Sequence, residues 1–143
     1  MSMETLMNYI SNLNWIAVVV ATLAGFGVGA VWYSQAIMGK PWMKAIGLKE
    51  KDMKSASMAE PMIIGLLTVF VTAVALGVLV QPLALTTALQ GATFGILIAL
   101  AFITTNKVMN VLFEQRSKSL VWINLGGDVL ALGVMGAILA VWQ

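Results

Sequence analysis

Residues 61–80 read PMIIGLLTVFVTAVALGVLV, an apolar stretch without a single charge. Crossing the hydrocarbon core of a bilayer takes roughly 20 apolar residues at a helical rise of about 1.5 Å each. The stretch has the right length and no polar face to turn towards water, so it is read as a transmembrane helix. Three further segments meet the same test on either side of it. The first runs from Trp15 to about Tyr33, interrupted only by Thr22. The third is apolar from near Leu83 through Ile103. The fourth runs from Leu120 to Trp142 and holds one acid, Asp128. Each segment must satisfy its own backbone in lipid, and four are too few to close a barrel, so all four are helices. The fold class that follows is all-α, a single integral membrane domain of four transmembrane helices spanning 1–143. Its spans lie at about 15–35, 61–81, 84–112 and 120–142, with a loop over 36–60.

Composition agrees. Of the 143 residues 60% are hydrophobic and 10% charged, more apolar surface than a soluble fold of this size can bury. Cysteine and histidine are absent. Disulfide frameworks, thiolate chemistry and iron–sulfur ligation are excluded with the first. The commonest general base and metal ligand goes with the second. Neither a metal nor another cofactor is expected. The formal charge of +2 is too small and too local to indicate nucleic acid.

The charges are better explained by topology. Lys40, Lys44, Lys49, Lys51 and Lys54 follow the first span, and Lys107, Arg116 and Lys118 follow the apolar core of the third. The N-terminal segment, the turn near 81–86 and the C-terminus carry no Lys or Arg. The positive-inside rule then places both basic loops in the cytoplasm and both termini outside. Trp15 and Trp142 suit the outer interface, and Trp32, Tyr33, Trp42 and Trp122 the inner one. The first span is read as a retained helix. Its leading segment has Glu4 and no Lys or Arg, and no small-x-small site follows. Leu6, Ile10 and Leu13 recur at helical spacing and suggest a short surface helix before it.

In the long loop, Gly39-Lys40-Pro41-Trp42 reads as a turn, and residues 49–57 as a short helix ending in a Ser57-x-x-Glu60 capping box before the second span. Its lysines, Lys40, Lys44, Lys49, Lys51 and Lys54, either hold anionic lipid or serve topology alone.

Lipid supplies no hydrophobic drive between helices, so small residues spaced four apart mark packing faces. Ala21-Gly25-Gly29, Ala73-Gly77, Gly91-Gly95-Ala99, Gly133-Ala137 and Gly136-Ala140 all qualify. That exceeds the need of one four-helix unit, which predicts a homo-oligomer, dimer or trimer.

The apolar character of the third span resumes beyond Asn106-Lys107 as far as Phe113, leaving a tight turn near 114–119. Folded about residue 117, positions that sum to roughly 234 face each other. Asn110 is then level with Asn124, and Asn106 or Lys107 with Asp128. Asn106 and Asn110 share one helical face, as do Asn124 and Asp128. An unpaired Asp at the centre of a span costs about 2.5–3.5 kcal/mol on insertion scales. Pairing with Lys107 or bonding to Asn106 offsets this, or the carboxyl is protonated and neutral. An intramembrane ionisable residue points to function, and a polar clamp between two helices is the structural alternative. Gly126 and Gly127 beside it leave room for a helix, water or a ligand.

The boundary after the first span carries a recognisable pattern. Gly29-x-x-Trp32-Tyr33-Ser34, then Gly39-Lys40-x-Trp42-Met43-Lys44 and Gly47-Leu48, resembles a bacterial membrane family known as domain of unknown function 1761. Phe113-Glu114-x-Arg116, Ile123-Asn124 and Ala140-Val141-Trp142 are similar to its C-terminal part. The chain has Gln35 where the motif carries proline. The resemblance covers nearly the whole chain and implies a small four-helix membrane protein with no agreed activity.

Three functions remain to be weighed. A structural or accessory membrane protein needs nothing the sequence lacks. A transporter or channel subunit would use a vestibule of Tyr33, Asn106, Asn110, Asn124 and Asp128. Its route onward has only Thr86, Thr87 and Gln90, and the first span lacks the acid that four-helix multidrug exporters use. An intramembrane enzyme is not expected, since no His, Cys, paired carboxylates or Ser–base arrangement is present; Ser34 and Lys40 are neighbours in sequence only.

Overall fold

The computed structural model describes residues 2–143, and the side chains of Met53, Lys54 and Ser55 lie outside that description. All regular structure among these residues is helical. Helix α1 (Met3–Ser11) starts where the Ser2 hydroxyl accepts the Thr5 N–H at 3.1 Å, and α2 (Trp15–Trp32) where Asn14 Oδ1 accepts that of Ala17 at 3.2 Å. Such caps occupy backbone donors that have no partner inside the helix. Two short helices follow, α3 (Gly39–Ile46) and α4 (Glu50–Ser55), then the long α5 (Ala59–Val80). The third span is composite: α6 (Ala88–Ile98), a π-helical segment (Ala99–Thr104) and α7 (Thr105–Phe113). Helix α8 (Ser119–Val141) completes the chain. Four helices are long and apolar enough to cross a bilayer: Trp15–Trp32, Ala59–Val80, Ala88–Phe113 and Ser119–Val141. The protein is a multi-pass membrane protein.

Two local expectations are corrected. The segment from Gly39 to Trp42 is the first turn of α3 and not a free turn. Pro41 fits there because first-turn N–H groups have no intrahelical acceptor to lose. A Cβ on Gly39 would lie 2.7 Å from the Ser34 carbonyl oxygen, which accepts the Gly39 N–H at 2.8 Å. Glycine at 39 is thus what lets the chain reverse between α2 and α3. The Ser57–Glu60 capping box is also absent, since α5 begins at Ala59 with Met58 as its uncapped N-cap. A capping box does form at Thr87 and Gln90, where α6 begins. Gln90 and Thr87 therefore cap a helix.

Helix α8 is the element on which the others assemble, packing against α2, α5, α6 and the π-helical segment. The tightest contact is with α6. A Cβ on Gly91 would collide with the Gly136 carbonyl, and one on Gly95 with the Leu132 carbonyl. Backbones can approach this closely only where side chains are missing. These pairs sum to 227, seven short of the register read from the turn, whereas Lys107 and Asp128 meet at a sum of 235.

Towards the end that carries both termini, Val18, Ala21, Ala73, Leu76, Leu132, Met135 and Leu139 form a buried core. The side-chain amide of Gln81 donates to the Tyr9 carbonyl at 3.0 Å, and that of Gln143 to the Leu85 carbonyl. The buried residues of α5 all come from Ala73 onward. Helix α5 therefore packs in its second half and stands off α8 near its start. The opening this leaves, at the end carrying the two basic loops, is where the polar side chains collect.

Candidate functional site at the basic end

The last residues of α2 seat this site. The indole of Trp32 lies over Gly126 and Gly127, where either Cβ would strike its ring. Its Nε1–H donates to the Ile123 carbonyl at 2.8 Å. The two glycines next to Asp128 thus make room for a side chain of the same protein. The signal for this was in the sequence, as a Gly-Gly pair on one span and a tryptophan ending another, but nothing there linked them. One residue beyond the span, the Tyr33 hydroxyl donates to Asn124 Oδ1 at 2.9 Å, and its ring meets Trp42 edge-on with centroids 6.1 Å apart. Burial, with the Asp128 carboxylate nearby, pushes the Tyr33 phenol up to about 12, so it remains a donor.

A second pair lies beside the first. The Lys107 ammonium donates to Asp128 Oδ1 at 2.8 Å and Oδ2 at 2.7 Å. Side chains on a helix incline towards its N-terminus. On antiparallel helices Lys107 and Asp128 therefore lean towards each other, and the long lysine stem spans the difference in height. The π-helical segment just before α7 changes which face of the helix follows it, since its hydrogen bonds close over five residues and not four.

The four polar residues read as one seam are thus divided. Lys107 and Asp128 pair with each other, and Asn124 is taken by Tyr33. Asn110 donates to Asn106 at 3.2 Å on an exposed face, and neither is bonded to α8. Asn110 and Asn124 do line the same cavity, of about 890 Å³, whose wall also includes Trp42, Lys44, Lys107 and Arg116. Arg116 bonds Glu114 at 2.7 Å across the left-handed Gln115 that ends α7, both side chains largely exposed. Ser34 turns the chain through its carbonyl, and Lys40 is exposed.

A second cavity, of about 750 Å³ and mostly apolar, fills the space where α5 stands off. Gly29, Gly65 and Met135 line it, with Tyr33, Lys107 and Asp128 at the polar end. Lys107 belongs to both cavities, so the two adjoin at the ion pair. Among the described residues no group of three or more His, Cys, Asp or Glu is placed to hold a metal ion. What the arrangement offers chemically is a satisfied ion pair between a cationic, amide-lined chamber and an apolar slot.

No curated protein and no solved structure matches the chain. The model of one family, described as a protein of unknown function (DUF1761), matches residues 16–140, which include the Trp32-Tyr33 seat, both partners of the ion pair and all but the last residue of α8. The chain is a member of that family.

Proposed function

We propose that this is a non-enzymatic accessory protein of the bacterial inner membrane, a homo-oligomer (dimer or trimer) whose polar seam docks its helices. The observation that carries the reading is the two-fold bond from Lys107 to Asp128, which compensates the acid within the chain and ties the third span to the fourth. Towards the other end Val18, Leu76, Met135 and Leu139 are buried at 3% exposure or less, so no polar route continues from the site. Self-association is supported by Gly27 of α2, where an added Cβ would meet nothing of the same chain within 4 Å, since small residues are where membrane helices approach closely. The segregation of Lys40, Lys44, Lys49, Lys51, Lys54, Lys107, Arg116 and Lys118 to one end supports a cytoplasmic basic end with both termini outside.

A second reading, a transporter or channel subunit with a cytoplasm-facing vestibule, is favoured by the two cavities that meet at Lys107. Liposomes reconstituted with the wild type and with Asp128→Asn separate the two. The accessory reading expects no ion or proton flux from either, with the variant merely less stable. Flux from the wild type that Asp128→Asn abolishes would replace it by transport. A reporter fused to the C-terminus should be active on the outer side of the membrane, and cytoplasmic activity would reverse the orientation. Native mass spectrometry from mild detergent gives the oligomer, and a monomer only would remove that part of the reading.

A further inference from the structure

The two cavities differ in character and share one residue. In the larger, Lys44, Lys107 and Arg116 stand with one acid, Glu114, and the Asp128 carboxylate bonded to Lys107 leaves a surplus of one positive charge. The donors there are only partly used. Lys107 has three ammonium protons and gives two to Asp128. Arg116 holds Glu114 through Nε, leaving its four terminal N–H groups. Because the Tyr33 hydroxyl donates to Asn124 Oδ1, the amide NH2 of Asn124, which lines the chamber, keeps two donors without a partner. Several donors and an excess of positive charge around one space suit an anion with multiple acceptor oxygens, such as a phosphate group. Directly beyond Lys107 lies the apolar slot, bounded by α2, α5 and α8, wide because a Cβ on Gly29 would meet nothing within 4 Å. A phosphate with a hydrocarbon chain attached matches both chambers in order.

We propose that the basic end is a binding site for one anionic phospholipid of the adjoining leaflet. Its phosphate sits among Lys44, Lys107, Arg116 and the Asn124 amide, and an acyl chain lies in the slot between α5 and α8. Lys107 keeps its bond to Asp128 and spends its third proton on the lipid. Tyr33 acts as a positioning residue, turning the Asn124 amide so that its donors face the phosphate. The site concerns α3, α7 and the interior of the helices, and it is distinct from general attraction of the loop lysines to a charged surface. It does not depend on whether anything crosses the membrane.

The probes are phosphatidylglycerol, phosphatidylcholine with the same acyl chains, and glycerol 3-phosphate, added to the delipidated full chain in detergent. Binding is read by native mass spectrometry and by thermal shift. Wild type should retain phosphatidylglycerol well above phosphatidylcholine. Lys44→Gln/Arg116→Gln, both at open positions, should lower that preference about tenfold or more, as each basic residue near an anionic lipid contributes of order a kcal/mol. Gly29→Leu, whose Cβ would meet nothing within 4 Å and whose side chain would occupy the slot, should weaken phosphatidylglycerol while leaving glycerol 3-phosphate unchanged. Equal retention of the two lipids by wild type, or an unchanged preference in the double variant, overturns the site. Stabilisation by glycerol 3-phosphate equal to that by phosphatidylglycerol, with Gly29→Leu indifferent, overturns the acyl slot and leaves a site for a free phosphate ester.

Discussion

Lys107 and Asp128 meet although they stand at different heights on antiparallel helices, α7 and α8, the ammonium lying 2.7–2.8 Å from both carboxylate oxygens. Each side chain leans towards the start of its own helix, which on antiparallel partners means towards the other. The bond ties the third span to the fourth near the basic end, while Gly91 and Gly95 tie them at the other. Between the two ties runs the π-helical segment, Ala99–Thr104.

Removing one partner of this pair leaves the other charge in a poorly solvated place. Losing one partner of a fully buried pair costs about 3–5 kcal/mol. With Lys107 at 36% and Asp128 at 17% side-chain exposure, Asp128→Asn should cost less, about 1–2 kcal/mol. Lys107→Gln should cost a similar amount. The double variant should recover part of the loss in a thermal unfolding cycle in detergent. Strict additivity of the two would mean that the pair contributes no coupling.

Gly95 of α6 and Gly29 of α2 should respond in opposite ways. Gly95→Ala drives a methyl group into the Leu132 carbonyl and should destabilise the docking of the third span by about 1–3 kcal/mol, in the range of overpacked interiors. Gly29→Ala meets nothing within 4 Å and should be neutral or slightly stabilising. Melting temperatures of the two variants against wild type give the comparison, and equal losses would contradict the packing described.

Trp32 contributes both a bond and a shape. Trp32→Phe removes the donor to the Ile123 carbonyl and should cost about 1 kcal/mol. Gly126→Ala should cost more, because the added methyl displaces the ring itself. Chemical unfolding followed by circular dichroism ranks the two, and the reverse order would mean that the ring is free to move aside.

Alkaline stability should depend on Tyr33. Its phenol is raised from 10.0 to about 12, first by burial and then by the Asp128 carboxylate. The folded state thus holds a proton that the unfolded chain releases above about pH 10. The stability this gives is complete below pH 10 and is lost as the pH climbs to about 12. Wild type should show this extra loss in melts between pH 9 and 12, and Tyr33→Phe should be flatter across the same window. Parallel curves would refute it.

Which parts of this were legible beforehand follows from the range of the forces involved. The four apolar runs stand out because hydrocarbon forces each segment to satisfy its own backbone, which makes a span a local property of about 20 residues. The segregation of the basic residues is equally local, and the pairing of Lys107 with Asp128 was among the partners their spacing allowed. Side-chain partners between helices are different, because they depend on how each helix is rotated and how far it slides. Asn124 has Tyr33 as its partner, not Asn110, because α2 ends against α8 while Asn110 faces outward beside Asn106. The register of α6 on α8 is set by where Gly91 and Gly95 let backbones touch, not by the length of the turn at 114–119.

The sequence by itself determined that this chain is helical and has four segments long and apolar enough to cross a membrane, since those properties follow from composition within each segment. Only the tertiary structure decided what Gly126 and Gly127 are for, that Trp32 and Tyr33 are anchors for α8, and that a polar chamber and an apolar slot adjoin at Lys107. Those outcomes rest on contacts between residues 91 or more positions apart for Trp32 and Tyr33, and such contacts form only when whole helices have settled into place.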